Sequence, residues 1–288
     1  MRVGFTGGWL DRADHVRSDP AAIAAAAGDW RSRLLVIDGG DPAIDAVGKL
    51  EWTSLADARE DAELIFLGFD GDGRGHFTQS LPAGQTFAGR SMSLMRMLGH
   101  MPDDEAAVFG VARVLVDWHA RNPHCSACGA RTAPMRAGWG RACPNCATEH
   151  FPRVDPVVIM LAEHDGRALV GRGIGWPAGR YSALAGFVEP GESIEEAVAR
   201  EIHEEAGVRV RDVSYVASQP WPFPGQLMIA CRAIADDPAI TIDPKEIDDA
   251  IWVTRDEARA ALAGEDAPFV APPGYAIAHT LLRAWVAG

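Results

Sequence analysis

The alternation of apolar and polar positions predicts a series of strands in the second half of the chain. Residues 154–173 read VDPVVIMLAEHDGRALVGRG, in which two apolar runs flank a turn-forming segment. This pattern is typical of a strand, a turn and a second strand. YVASQP at 215–220 and LMIACRAIA at 227–235 predict further strands, and a last helix is expected from Gly274.

The first hundred residues show a mixed pattern that predicts a separate α/β or β-rich domain. RLLVIDGG at 33–40 and AELIFLGFD at 62–70 read as strands that end in turn residues. AAIAAAA at 21–27 predicts a helix. A longer helix is expected over 102–122, where acids stand at the start and basic residues at the end. DGDGRGHF at 70–77 resembles a connecting loop.

A helix with clear boundaries is predicted between residues 193 and 207. Ser193 followed by Glu196 is a capping-box pattern, and Gly207 suits the position just after a helix. At roughly 100° per residue, the apolar residues between these limits fall on one face. That face consists of Ile194, Val198, Ile202 and Ala206.

Three carboxylates crowd the edge of this apolar face. Glu201, Glu204 and Glu205 share an arc, although like charges at such spacing repel by about 0.2–0.5 kcal/mol per pair. Oxygen ligands gathered without His or Cys suit a hard cation, Mg²⁺ or Mn²⁺, which also binds phosphates. A solvated acidic face is the alternative interpretation. The neighbouring apolar face and Glu192 in the preceding Gly-rich loop favour the metal.

The cysteines predict a second, different metal site. Four of the five form the pattern CxxC-x14-CxxC, with Cys125 and Cys128 in one pair and Cys143 and Cys146 in the other. Four thiolates at this spacing match a closed, tetrahedral structural zinc site. Two disulfides are the competing interpretation, but the first residues lack the apolar core of a signal peptide. The remaining Cys231 lies in an apolar run and is expected to be a buried strand residue.

The segment from residue 186 to 208, GFVEPGESIEEAVAREIHEEAGV, carries every fixed position of the Nudix box. Those positions are Gly186, Glu192, Arg200, Glu201, Glu204, Glu205 and Gly207. The chain therefore resembles the Nudix hydrolases. This resemblance implies that Glu201 and Glu205 are the principal metal ligands, that Glu204 is a ligand or the base, and that Arg200 orients a glutamate.

A third segment narrows the resemblance. Residues 218–224 read SQPWPFP, whose prolines predict a stiff, extended rail that presents Trp221 and Phe223 to a flat ring. An ordinary Pro-rich turn with buried aromatic rings is the alternative. With the Nudix box and the zinc ribbon, SQPWPFP resembles the signature of the NADH pyrophosphatase (NudC-like) subgroup. That subgroup usually has any residue and then Ser after this motif, where this chain has Gly225-Gln226.

Other short motifs agree with this subgroup and imply further site residues. Trp118-His119 precede the zinc ribbon, Pro244 to Glu246 read Pro-Lys-Glu, and residues 272–278 match as well. The resemblance implies Glu246 as a further metal or base residue. It also implies a substrate pocket that includes Phe187, for which packing in the core is the alternative. The candidate substrate contacts are Phe187, Gln219, Trp221, Phe223, Glu192 and Ile277.

Composition and charge limit the function classes. The chain has 288 residues, 48% of them hydrophobic, and a net charge of −13. The charge argues against a general nucleic-acid or membrane-surface binder, but it leaves room for a compact RNA-end site. The longest apolar runs are too short to cross a membrane. Paired metal-type cysteines indicate a reducing compartment, so a cytoplasmic location is expected.

Together these patterns predict an α/β protein with a Nudix α/β/α sandwich, preceded by a zinc ribbon and an N-terminal α/β domain. The predicted limits are residues 1–120, 121–150 and 151–288. The resemblance implies metal-dependent hydrolysis of NADH or NAD⁺ to nicotinamide mononucleotide and AMP, by a homodimer. Removal of an NAD cap from RNA 5′ ends is the nearer alternative, for which Arg153, Arg172 and Arg180 could supply cations. A non-catalytic nucleotide-sensing or zinc-ribbon binding module is the other.

Overall fold

The computed structural model describes residues 2–82, 84–87 and 89–288 and divides the chain into two compact units. The first unit comprises Phe5–Val154 together with Trp221–Gly225. The second comprises Asp155–Pro220 and Gln226–Gly288, together with the residues up to Gly4. No helix among the described residues combines the length and apolar character needed to cross a bilayer.

The N-terminal unit contains short strands, four helices and a core of aromatic and aliphatic residues. Its helices are α1 (Asp14–Arg17), α2 (Pro20–Gly28), α3 (Met92–Leu98) and α4 (Asp103–Arg121). Its strands are β1 (Arg33–Leu35), β2 (Ile37–Asp38), β3 (Asp41–Pro42), β4 (Thr53–Ser54), β5 (Leu64–Phe69), β6 (Gly75–Gln79), β7 (Ala133–Met135), β8 (Gly140–Ala142) and β9 (Glu149–His150). Single 3₁₀ turns lie at Leu55–Asp57 and Arg136–Gly138.

The described residues of this unit form three sheets, the smallest of which is the antiparallel pair β2-β3. The largest sheet has the order β4-β1-β6-β5, in which β1 and β6 are parallel and the outer pairs antiparallel. Leu34, Phe66 and Phe77 from this sheet are completely or almost completely buried. The antiparallel sheet β7-β8-β9 belongs to the cysteine-rich segment. The predicted limits at residues 120 and 150 are not tested by these features and stay predictions.

The local predictions for this unit hold with two corrections. The strand predicted over 33–40 is divided into β1 and β2, which pair in different sheets. The expected helices over 21–27 and 102–122 are α2 and α4, and the acids and basic residues of α4 stand at the predicted ends. The loop predicted over 70–77 ends at Arg74, because β6 begins at Gly75. Glycine and polar residues concealed this strand, whose residues are all buried.

The second unit is built on one six-stranded sheet with three helices. Its strands are β10 (Asp155–His164), β11 (Arg167–Gly173), β12 (Leu184–Phe187), β13 (Val210–Trp221), β14 (Gln226–Ala235) and β15 (Ile247–Thr254). Its helices are α5 (Ile194–Ala206), α6 (Arg255–Ala263) and α7 (Ile277–Ala287). The sheet order is β13-β14-β10-β11-β15; β12 pairs antiparallel with β10, and β14 pairs parallel with it.

Alternate residues of the central strand β10 enter two separate cores. Val158 and Met160 pack with the apolar face of α5, whereas Ile159 and Leu161 pack with α6 and α7. Because successive side chains of a strand point to opposite faces, one strand serves both layers. The predicted α/β/α sandwich is confirmed.

Two boundaries in this unit differ from the predictions. The last helix begins at Ile277 rather than at Gly274, because a turn occupies the residues between them. The SQPWPFP segment is extended only through Trp221, and residues 222–225 form the turn that leads into β14. The Phe223–Pro224 peptide bond in this turn is cis. The prediction of an extended rail is therefore wrong for the second half of the motif.

Candidate active site and zinc centre

Local sequence signals hold the acidic helix in place at both ends. The Ser193 hydroxyl accepts a hydrogen bond from the Glu196 backbone N–H, and the Glu196 carboxylate accepts one from the Ser193 N–H. This reciprocal pair is the predicted capping box. Gly207 ends the helix with a φ of 69°, a left-handed conformation that glycine adopts without strain.

Arg200 is the centre of the charged network on this helix. Its guanidinium donates to both carboxylate oxygens of Glu192, at 2.6 and 2.8 Å. Its Nη1 donates at 2.8 Å to Glu201 and at 2.8 Å to Glu204. Its Nη2 also donates to the backbone carbonyl of Phe187. The predicted task of Arg200, to orient glutamates through charge-assisted hydrogen bonds, matches these contacts.

Glu192 binds Arg200 with both of its carboxylate oxygens. One of these oxygens also accepts the Glu189 backbone N–H at 2.9 Å. The hydrogen bonds from Arg200 lower the pKa of Glu192 to about 2, so the side chain is ionised throughout the neutral range. The substrate contact predicted for Glu192 stays a prediction, and the observed partners of its oxygens are Arg200 on α5 and the Glu189 N–H.

A glycine on the neighbouring strand makes room for Glu201. A Cβ atom added to Gly186 would lie 1.8 Å from the carboxyl carbon of Glu201, far inside van der Waals contact. Any other residue at this position would displace the carboxylate. Burial raises the pKa of Glu201, and Arg200 opposes that rise.

Glu205 is the most perturbed carboxyl group of the site. One carboxylate oxygen, Oε2, is buried and has no hydrogen-bond partner among the described residues. Burial, followed by the negative charges of Glu201 and Glu246, raises the pKa of Glu205 to about 8. The Ala185 backbone N–H offsets this only in part. This oxygen of Glu205 lies among other carboxylates and has no positively charged partner among the described residues, because Arg200 donates its hydrogen bonds to the other glutamates.

These residues fit a hard divalent cation. The orphaned oxygen of Glu205, the clearance at Gly186 and the charges of Glu201 and Glu246 together form a site for positive charge. All donors are carboxylates, which suit Mg²⁺ or Mn²⁺. In the described part of the chain, only the cysteines bring three or more ligand atoms within 4.8 Å of one another. The carboxylates are therefore arranged more loosely than a closed cage.

The three predicted aromatic residues differ in their surroundings. Phe187 is 53% exposed at the end of β12, so its ring is free to cover a flat ligand and is not packed in the core. Trp221 and Phe223 belong to the N-terminal unit, where their ring centroids are 5.2 Å apart. Both rings also contact Phe5 edge to face. They form a fixed aromatic cluster with partial exposure.

Gln219 and Ile277 have structural tasks that correct their predicted roles. Gln219 is completely buried, and its amide donates to the carbonyls of Gly4 and Tyr275 while accepting the Ile277 backbone N–H. The Ile277 side chain is 2% exposed and lies in the core beneath α7. Neither side chain is available to a substrate, since both are used to attach the start of the chain and α7 to β13.

The four paired cysteines gather as predicted. Their Sγ atoms all lie within 4.8 Å of one another, and the two closest cross pairs are 3.5 and 3.6 Å apart. No pair is at disulfide distance, which is about 2.05 Å. Four thiolates without an open position suit one structural Zn²⁺. Cys231 is fully buried in β14, so the predicted buried strand cysteine is confirmed, and burial raises its pKa to about 11.

Sequence reasoning missed the backbone groups of the site. The Phe187 carbonyl and the Glu189 N–H complete the Arg200 network, and the Ala185 N–H reaches Glu205. Their only signal in the sequence is their position beside Gly186 or in the loop between Gly186 and the helix. The residues of a motif predict the chemistry of their side chains. The backbone donors and acceptors of the site can be identified only from the structure, in which β12 is paired with β10.

Comparison with known proteins agrees with the geometry of both centres. The family model for the NUDIX domain matches residues 152–272, and that for the NADH pyrophosphatase zinc ribbon domain matches residues 120–151. The chain is 41% identical to the NAD-capped RNA hydrolase NudC of Mycobacterium bovis (strain BCG / Pasteur 1173P2), over 96% of this chain and 92% of that protein. For the protein of the same name from Mycobacterium tuberculosis (strain H37Rv), the identity is 40% with the same coverage. NAD-capped RNA hydrolase NUDT12 of Homo sapiens is 44% identical over 67% of this chain and 44% of that protein.

Proposed function

Because the chain belongs to the NudC family of Nudix hydrolases, we propose that it hydrolyses the diphosphate of NADH or NAD⁺ to nicotinamide mononucleotide and AMP. The observation that carries this proposal is Glu205, whose buried oxygen has no hydrogen-bond partner among the described residues and which lies in the field of the negative charges of Glu201, Glu246 and Glu204. A non-catalytic sensing module would not need this arrangement. Every glutamate of the box is present in the chain.

The residues of the site would divide the work as follows. Glu201 and Glu205, with Glu246, would hold the cation, and Arg200 keeps Glu201 and Glu204 in position. Glu204 is half-exposed, so it can reach a water molecule as the general base. When bound, Mg²⁺ or Mn²⁺ would neutralise the diphosphate and make the attacked phosphorus more electrophilic. Phe187 would cover the nicotinamide ring.

The remaining assignments complete the proposal. Structural Zn²⁺ would be held by Cys125, Cys128, Cys143 and Cys146, apart from the chemistry. The protein would act as a homodimer in the cytoplasm, where a reducing environment keeps the cysteines available to zinc. The domain limits at residues 120 and 150 are part of the same proposal.

The direct test is incubation of the purified protein with NADH and either Mg²⁺ or Mn²⁺. We expect equal amounts of AMP and reduced nicotinamide mononucleotide, and no product without a divalent cation. If the folded, zinc-loaded protein leaves NADH intact with both metals, the proposed reaction is wrong. The departure from the subgroup's motif at Gly225-Gln226 would then suggest another nucleotide diphosphate as the substrate.

Removal of NAD caps from RNA 5′ ends is a second candidate function. It is favoured by the relatives, which carry the name NAD-capped RNA hydrolase at 40–41% identity over most of their length. The same cation and the same bond would be used, so the two substrates differ only in the RNA that follows the adenosine half. Comparison of kcat/KM on free NAD⁺ and on a short NAD-capped RNA separates the two substrates.

A further inference from the structure

An exposed tryptophan lies in the segment that joins β11 to β12, in the same unit as the carboxylates of the proposed active site. Trp176 is 41% exposed, and Ile174, two residues before it, is 54% exposed. Large aromatic side chains contribute much of the energy of binding surfaces. The dinucleotide proposed as substrate has two flat rings, of which the nicotinamide is assigned to Phe187 and the adenine to no residue.

The indole of Trp176 is held in place by its own segment. The Trp176 backbone N–H donates to the Gly173 carbonyl at 3.1 Å, so the chain makes a tight turn here. A Cβ atom added to Gly173 would lie 3.1 Å from both Cε2 and Nε1 of the indole, so the ring rests against this glycine. The Gly175 N–H donates to the Asp248 carboxylate at 3.2 Å, which ties the segment to β15. A ring that is fixed in advance loses little freedom when a ligand stacks on it.

The pairing of β11 with β15 determines on which face of the sheet this ring lies. Gly173 is directly opposite Ile247, and opposite residues of an antiparallel pair point to the same face. Ile247 packs in the core on the α5 side, so the Trp176 ring, which lies where the Cβ of Gly173 would point, is on that side too. Glu246 precedes Ile247, and its negative charge acts on Glu205. The ring therefore stands on the face of the carboxylates, beside the start of the strand that follows Glu246.

The other described features of this unit leave the Trp176 ring available. Tyr215 is 63% exposed, but it lies on β13, at the edge of the sheet opposite to β15. The Arg180 guanidinium lies 5.7 Å from the centroid of the Trp176 ring, near the outer limit of about 6 Å for such a contact. Arg180 therefore covers the ring only loosely, which agrees with the exposed fraction of the indole.

We propose that Trp176 stacks against the adenine ring of the substrate and thereby gives the enzyme its preference for an adenosine half. This inference rests on the proposed hydrolysis of NADH or NAD⁺. When the diphosphate lies at the carboxylate site, the adenine is one ribose away from it, and Trp176 lies beside the strand next to Glu246. The adenine takes no part in the bond that breaks, so this contact is equal in the bound substrate and in the transition state.

The test compares hydrolysis of NADH by the full-length, zinc-loaded protein and by its Trp176→Ala variant. Loss of one stacked base should raise KM and lower kcat/KM about tenfold or more, with kcat nearly unchanged. A second substrate has nicotinamide mononucleotide joined through the diphosphate to a ribose without adenine. The two proteins should hydrolyse this substrate with the same kcat/KM. Trp176→Phe should restore most of the activity on NADH, and Trp30→Ala, at an 83% exposed position of the N-terminal unit, should change neither substrate.

The outcomes separate this inference from the proposed function. Equal kcat/KM of the unaltered protein and Trp176→Ala on NADH would overturn the inference and leave the proposed function standing. An equal loss on both substrates would also overturn it, because the ring would then support the site without contacting the base. If the unaltered protein hydrolyses neither substrate, the proposed function fails, and calorimetric titration with AMP and Mg²⁺ decides about Trp176. AMP binding that is about tenfold weaker in Trp176→Ala would support the stacking contact, whereas equal binding, or none to the unaltered protein, would exclude it.

Discussion

At the scale of single residues, Arg200 and Glu205 show how the site separates its charges. One guanidinium binds three of the four glutamates at fixed positions of the Nudix box, Glu192, Glu201 and Glu204. Glu205 is left without a cation, and burial with its acidic neighbours raises its pKa to about 8. No described residue pairs with the buried oxygen of Glu205, which is consistent with the proposed metal site.

Replacement of Glu205 by Gln should lower turnover of NADH by orders of magnitude and leave the fold intact. Without added Mg²⁺ or Mn²⁺, a carboxyl group with a folded pKa of about 8 binds a proton more tightly in the folded state. Its stabilising effect is complete below its ordinary pKa and is lost as the pH rises through 8. The unfolding midpoint of Glu205→Gln should therefore fall less between pH 5 and pH 9 than that of the unaltered protein. A folded variant with full activity would exclude the metal role of Glu205.

The amide of Gln219 gives a prediction that separates a structural role from a substrate contact. Gln219→Ala would leave three buried backbone groups, at Gly4, Tyr275 and Ile277, without their partner. We expect a loss of about 3 kcal/mol in the free energy of unfolding by urea, with little change in KM for NADH. The exposed Gln85 serves as the control position. A large rise in KM with unchanged stability would restore the substrate contact.

At the scale of elements, the site depends on how closely β12 approaches α5. Gly186→Ala would place a Cβ atom 1.8 Å from the Glu201 carboxyl carbon, so the side chain of Glu201 must move. We expect weaker binding of Mn²⁺ by calorimetry and a marked loss of kcat. Gly274→Ala is the matched control, because its Cβ would meet no atom within 4 Å. Equal Mn²⁺ affinity in both variants would show that Glu201 is not a ligand.

The C-terminal end of α4 carries a pH-sensitive contact. Arg141 can only donate, so His119 Nδ1 accepts from it at 2.6 Å while Nε2–H donates to the Gly138 carbonyl at 2.8 Å. His119 must be neutral to do both, and burial lowers its pKa. Glu63 also binds Arg141, and it partly opposes this shift.

A folded pKa below the unfolded value means that the unfolded chain gains a proton first as the pH falls. Stability from His119 should therefore be present above pH 6.5, the ordinary value, and be lost progressively below it. His119→Gln keeps an acceptor and a donor but cannot titrate. The unfolding midpoint of the variant should fall less between pH 7 and pH 5. Parallel curves for the two proteins would exclude this contribution.

The elements also show what the sequence could predict and where it failed. The capped helix α5 and the hairpin of β10 and β11 follow from local patterns, because caps and apolar periodicity are encoded within a few residues. Strand β6 was missed, because its burial depends on distant partners, β1 and β5. The same reason applies to Gln219, since a glutamine that holds backbone groups and one that contacts a ligand look alike in a sequence.

At the scale of the whole molecule, the net charge of −13 opposes a long RNA substrate. Two of the arginines predicted to bind a capped RNA already have partners. Arg172 lies 3.5 Å from Asp248, and the Arg180 guanidinium lies over the Trp176 ring. Recognition of a capped RNA should therefore concentrate on the NAD end. The nucleotides that follow should gain little from phosphate contacts.

This argument predicts how salt affects the choice of substrate. We expect kcat/KM for a long NAD-capped RNA, divided by the value for free NAD⁺, to stay level or rise as NaCl increases from about 50 to 200 mM. Screening weakens repulsion from the acidic protein, and division by the NAD⁺ value cancels effects on the shared diphosphate. A binder with six to ten phosphate contacts would instead lose about 10³–10⁵ in affinity over that range. A steep fall in the ratio would show that a cationic surface guides the RNA, and Arg172→Gln would then reduce the slope.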